Sequence, residues 1–123
     1  MQSVLGIDAA WTPTEPTGVA LVQRCSAGDR WRCVALAPGY DSFIGLSEGT
    51  PVEWHTDMFR GSAAGPAGVL DAAQRLTDGL PVTLVTVDMP AATVPITGRR
   101  IADDLVSSRF GGQGCSTHSP SLK

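Results

Sequence analysis

The stretch Val82-Thr83-Leu84-Val85-Thr86-Val87-Asp88 constrains the fold more than any other part of the chain. Its β-branched and apolar residues follow one another without a helical period, as in a core strand covered on both faces. The run then stops at a carboxylate. A second stretch of the same kind, Ser3-Val4-Leu5-Gly6-Ile7-Asp8, also stops at an aspartate. If the two strands lie side by side and parallel, their carboxyl ends share one edge of the sheet, ~4.8 Å apart. Asp8 and Asp88 then stand together at the edge where open α/β sheets bind ligands. Two bare carboxylates at that separation repel. A divalent cation, magnesium or manganese, removes the conflict, since such ions are held by one or two carboxylates with waters and phosphate oxygens. For either aspartate alone the ordinary alternative is a turn former or helix cap. The coincidence of both at matched strand ends favours a site.

The remaining pattern supplies the elements that such a pair requires. Residues 18–25 and 30–37 read as a second and a third strand, the third alternating at Trp31, Cys33 and Ala35. Short connections make the first three strands an antiparallel meander. Residues 39–49 read either as a short helix or as an irregular loop, and 51–61 is ambiguous. From Pro66, the spacing of Val69, Leu70, Ala73 and Leu76 predicts an amphipathic helix closed by Gly79. A helix followed by the strand 82–88 implies a crossover and a parallel pairing with the first strand. The strand order is then third, second, first, fourth. Residues 98–111 read as a last helix, with Ile101, Leu105 and Phe110 facing inward and Gly111 ending it.

That last helix carries Arg99, Arg100 and Asp103. Residues three and four apart share a helix face, so one reading is an intrahelical ion pair worth ~0.3–0.5 kcal/mol. Two adjacent arginines are unfavourable beside the positive end of a helix, a cost offset if they face an anion. The functional reading is therefore a phosphate-binding arginine pair, with Asp103 orienting it or reaching the metal.

Composition narrows the classes. A chain of 123 residues, 42% hydrophobic and 17% charged, is long enough for one core. No apolar run approaches the ~20 residues of a membrane helix, and the N-terminus has no basic region of a secretory signal, so no membrane partner and a cytoplasmic location are expected. Three cysteines without CxxC spacing argue against a structural zinc site or a disulfide framework. A net charge of −3 argues against a general nucleic-acid coat, though not against a nuclease with local basic residues.

Taken as a spaced series, GIDAAW, TGVAL, VDMP, GRRIADD and FGGQGCSTHSP resemble domain-of-unknown-function family number 429, described as predicted nucleases with a ribonuclease H-like fold. The resemblance spans both ends of the chain and leaves roughly 38 to 80 without a motif. It implies an α/β, ribonuclease H-like mixed sheet: three antiparallel strands, then a parallel fourth, with flanking helices. It places metal-binding acids on Asp8 and Asp88, and the family's arginine-rich helix on Arg99, Arg100 and Asp103. Asp71 lies on the crossover helix and matches no family motif. Ribonuclease H-like domains continue into a fifth strand and a helix with another acid, whereas this sequence stops at Lys123. The single domain, 1–123, is thus expected to be shortened at its C-terminus.

Other motifs carry less. His118 between Ser116 and Ser119 has no orienting acid and no strand–turn–helix elbow. GGQG (111–114) follows a helix instead of opening one. His55 and Asp57 lack a helical metal spacing. Trp11, just after Asp8, reads as a lid over the core or as a platform for a nucleobase.

The leading functional expectation is a metal-dependent nuclease-like enzyme acting on a phosphodiester. In it Asp8, Asp88 and Asp103 are the catalytic acids, Asp8 and Asp88 hold magnesium or manganese, and Arg99, Arg100 and Trp11 meet a nucleic acid or nucleotide. The alternatives are a nucleotide-binding phosphotransferase of the actin-like superfamily, or a non-catalytic oligomerisation or binding module. The first lacks the glycine–threonine pair expected after the aspartate. A homodimer is expected as well, because strand 82–88 would carry an uncovered, uncharged edge.

Overall fold

The computed structural model describes residues 1–10, 14–55, 58–89, 98–114 and 117. Trp11 and Asp57 lie outside the described residues, as do Cys115, Ser116, His118 and Ser119. The chain divides into two compact units, Met1–Met89 and Pro90–Lys123.

The first unit is an α/β layer. Its elements in chain order are β1 (Gln2–Asp8), β2 (Gly18–Arg24), β3 (Arg32–Ala37), α1 (Tyr40–Ser47), α2 (Pro66–Leu76) and β4 (Leu84–Asp88). They form one four-stranded sheet in the order β3-β2-β1-β4. β1 pairs antiparallel with β2, β2 antiparallel with β3, and β1 parallel with β4. The region 39–49, open between helix and loop, is resolved as helix α1, which buries Phe43 completely.

One face of the sheet is packed. Leu5, Val19, Leu21, Ala35 and Ala37 meet Phe43 of α1 and Val69, Ala72 and Ala73 of α2. Burying each of the larger side chains contributes roughly 1.5–3 kcal/mol. Pro66 opens α2 at a position where its missing N–H costs nothing. The far end closes as a Schellman turn: the Gly79 N–H donates to Gln74 O at 2.8 Å and the Asp78 N–H to Arg75 O at 3.2 Å. The first left-handed residue there is Asp78 (φ 55°), followed by Gly79 (φ 86°), so the stop lies one residue ahead of the glycine expected to make it. Leu70, expected to face the core, is 41% exposed, and Ala72 takes its place.

Two further differences have local causes. Register partners run Leu21↔Ala35 and then Val22↔Cys33, so Val34 is an extra residue, a β-bulge in β3. A bulge reverses the alternation, which is why Cys33 is exposed while Ala35 is buried. Trp31 falls before the strand, 46% exposed, with the Arg24 guanidinium 4.6 Å from its ring centroid. The larger correction concerns β4: all five of its residues are exposed. It is an edge strand, and the core that α1 and α2 close takes residues from β1, β2 and β3 but none from β4. Apolar composition on both faces marks a strand that can be buried, not one that is.

The register of β4 is fixed at its start. The Thr83 hydroxyl donates to Ser3 O at 2.7 Å, and it accepts the Ser3 N–H at 3.1 Å. The Thr83 N–H adds a bond to the same carbonyl at 2.8 Å. Ser3 itself is buried beside Gln23, which bonds its hydroxyl and accepts from Arg32. A slip of one residue would break this knot and turn every β4 side chain to the opposite face.

The second unit holds α3 (Ile101–Phe110), continued by a short 3₁₀ turn, Gly111–Gln113. Arg99 and Arg100 precede the helix; Arg100 is its N-cap, with extended backbone. The helix therefore begins later than 98, and the two arginines do not crowd its first turn. Gly111 keeps right-handed geometry, and the left-handed residue that ends the element is Gly114 (φ 78°). Ile101, Leu105 and Phe110, expected to face inward, are 80%, 64% and 41% exposed. The buried side chain of α3 is Asp103.

Among the described residues, no helix is long and apolar enough to cross a membrane.

Candidate functional site

Asp8 and Asp88 are register partners at the carboxyl ends of β1 and β4. Register partners on adjacent strands project from the same face, and both residues line one open trough of about 640 Å³ on the face opposite the helices. The placement follows from three local facts. β1 and β4 run parallel, the Thr83–Ser3 knot sets their register, and both strands end at the aspartate.

The floor of the trough is made of small residues. Gly6 lies between Thr86 on β4 and Ala20 on β2: a Cβ there would come 3.5 Å from Thr86 Oγ1 and 3.8 Å from Ala20 O. Gly18, the β2 partner of Asp8, matters more. A Cβ at Gly18 would sit 3.4 Å from Asp8 Cβ and 4.0 Å from its Oδ2. The absent side chain leaves the Asp8 carboxylate room on that flank. The loop that follows is tied by the Ala10 N–H donating to the hydroxyl of buried Thr17 at 3.2 Å. Leu36 supplies an apolar wall. Sequence reasoning did not single out Gly6, Gly18, Thr86 or Leu36. The glycine of TGVAL, placed to face Asp8 by a tight antiparallel register, was the clue available for Gly18.

The donor set suits a hard divalent cation. Two exposed carboxylates from adjacent strand ends can hold such an ion on one side and leave its other positions to waters or phosphate oxygens. Among the described residues, no group of three or more histidines, cysteines or acids forms a closed metal cage. Magnesium and manganese fit an open, two-carboxylate site of this kind; a structural zinc does not.

The second unit brings Arg99, Arg100 and Asp103 together, with unequal roles. Both Asp103 carboxylate oxygens accept from Arg100, Nε to Oδ2 at 2.8 Å and Nη2 to Oδ1 at 2.9 Å. Asp103 is only 3% exposed, while the Arg100 side chain is 45% exposed. This hydrogen bond raises the Arg100 pKa above its ordinary value, so the guanidinium is charged at every accessible pH. Arg99 works differently. It donates to Asp104 Oδ1 (2.6 Å), Ser107 Oγ (2.8 Å), Asp103 O (3.0 Å) and Thr117 O (3.1 Å). Thr117 in turn donates its N–H to Ser107 Oγ and its hydroxyl to Asp103 O. Arg99 thereby fastens the residue at 117 to the first half of α3.

Among the sequence-predicted site residues, Asp8 and Asp88 thus meet in one trough, Asp103 is bound by Arg100, Arg99 is a staple, and Trp11 is outside the described residues. Compared with family models, curated proteins and solved structures, the chain finds no match.

Proposed function

We propose that the chain is a ribonuclease H-like, metal-dependent hydrolase of phosphodiesters, as its resemblance to family 429 implies. The observation that carries the reading is the register pair Asp8↔Asp88 at the carboxyl edge of two parallel strands. Sheet order and strand directions are those the resemblance calls for.

In this reading Asp8 and Asp88 hold one magnesium or manganese ion from one side, and Gly18 keeps the flank of Asp8 clear for it. A bound ion of this type polarises a phosphoryl oxygen and lowers the pKa of a coordinated water. The trough floor of Gly6 and Ala20 lets a sugar–phosphate chain approach the backbone closely, and its open side admits a polymer. In the second unit, Arg100 is the residue suited to a phosphate: Asp103 fixes its fork, and nearly half its side chain remains exposed. Arg99, fully engaged by its own fold, is a positioning residue.

Cleavage of short DNA and RNA strands with manganese or magnesium tests the reading. Cleavage should require the metal and vanish in Asp8→Asn and in Asp88→Asn, both of which should keep the wild-type melting behaviour. Cleavage that survives either substitution, or none by the wild-type protein with either ion, would overturn it. Stabilisation by nucleotides without cleavage would point to a phosphotransferase instead.

A further inference from the structure

We propose that β4 pairs with β4 of a second copy of this chain, antiparallel about a twofold axis through Thr86, so that two sheets join into one. β4 is the last strand in the sheet order, and among the described residues nothing pairs with its outer edge. Its five residues are all exposed, with Leu84, Val85 and Val87 at 55%, 43% and 45%. Natural edges of this kind are blunted by lysine, proline or a bulge. From Val82 to Val87 the chain has none of the charges or prolines, and among the described residues the bulge of the sheet lies in β3.

The sequence of β4 selects its own copy as the occupant. Centred on Thr86, Val85 faces Val87 of the second copy and Leu84 faces its Asp88. The two Asp88 carboxylates are then offset by four residues, about 13 Å along the strands, beyond the ~8 Å screening length at physiological salt. Centring on Asp88 would instead set the carboxylates face to face, a repulsive arrangement. The twofold closes on itself, so the pairing ends at a dimer.

The helix-side surface completes the fit. Leu5 and Ile7 of β1 are register partners of Val85 and Val87, so these four project to the same side of the sheet. Beside Val85 an apolar notch of about 190 Å³ opens between the strands and the Pro66, Val69 and Leu70 turn of α2. Val87 of the second copy falls next to Val85, over this notch. Backbone pairing supplies affinity and the notch supplies register, the division of labour in strand addition generally.

The test uses the register. Light scattering at micromolar concentration should show a dimer for the wild-type chain. Val85→Lys with Val87→Lys places lysine against lysine and should weaken association by about 100-fold or more. Val85→Lys with Val87→Glu places lysine against glutamate at both positions and should restore the dimer. A monomeric wild type, a dimer indifferent to the double lysine, or no recovery with the lysine–glutamate pair would each overturn the proposal. Should the charged variants fail to fold, Thr86→Cys in a chain with Cys25, Cys33 and Cys115 replaced by serine decides. It should form a disulfide-linked dimer on mild oxidation, and Leu84→Cys should not. Equal cross-linking of the two, or none at Thr86→Cys, would contradict the twofold at Thr86.

Discussion

Asp103 and the pair Asp8–Asp88 are the same residue type in opposite surroundings. Asp103 is buried in the second unit with both oxygens taken by Arg100. Asp8 and Asp88 are exposed at the ends of β1 and β4, and among the described residues neither carboxylate has a hydrogen-bond or ion-pair partner. A carboxylate whose lone pairs are filled by a guanidinium stabilises a fold. One held out from a rigid strand end into an open trough is available to a ligand. Burial and partners, not proximity to arginine in the sequence, separate the structural acid from the candidate chemical ones.

That contrast is broken or sharpened by substitution, beginning with the largest effect on stability. Asp103→Ala removes the acceptor for Arg100 from a buried position, and leaves a void within the first turn of α3. Amide exchange across 101–110 should accelerate more than for any other single acid replaced, while manganese affinity at the trough stays as in the wild type. Retained protection would make Asp103 dispensable to its unit.

Next comes Thr83→Val, which deletes both hydroxyl bonds to Ser3. Each is worth about 1 kcal/mol, and for a domain of this size 1 kcal/mol shifts the melting point by roughly 4–8 °C. Here manganese affinity should fall along with the melting temperature, because the register of Asp88 against Asp8 is loosened. A melting temperature unchanged within a degree or two would show that β4 is positioned by something other than this knot.

Gly18→Ala should have the smallest effect on stability, within about 0.5 kcal/mol. Its Cβ would make a close but tolerable contact 3.4 Å from Asp8 Cβ, so the expected outcome is weaker manganese binding with little change in melting. Binding as tight as in the wild type would mean that the flank left open by Gly18 is not used.

Much of the first unit was legible because its physics is local. Valine- and leucine-rich runs ending in aspartate marked β1 and β4, short connections forced the meander, and the spacing of Val69, Ala73 and Leu76 marked α2. The failures arose where local pattern and tertiary cover part company. The bulge at Val34 reversed an alternation that Trp31, Cys33 and Ala35 had suggested. In α3, Ile101 and Leu105 are four apart and read as a buried stripe, but the side chain this helix buries is Asp103, held by the half-exposed Arg100. The exposure of β4 was beyond any reading of its own residues, because it depends on what lies alongside. For the candidate site, the pairing of Asp8 with Asp88 could be read from matched strand ends. The open flank at Gly18 required the register of β2 as well.

The most direct measurement is a manganese titration, by calorimetry or by the loss of free-ion electron paramagnetic resonance signal, across wild type, Asp8→Asn, Asp88→Asn and the double substitution. If the two carboxylates hold one ion between them, each single change removes most of the affinity and the double change adds little more, a strongly non-additive cycle. Losses that simply add, or single variants that bind as the wild type does, would contradict a shared ion at Asp8 and Asp88.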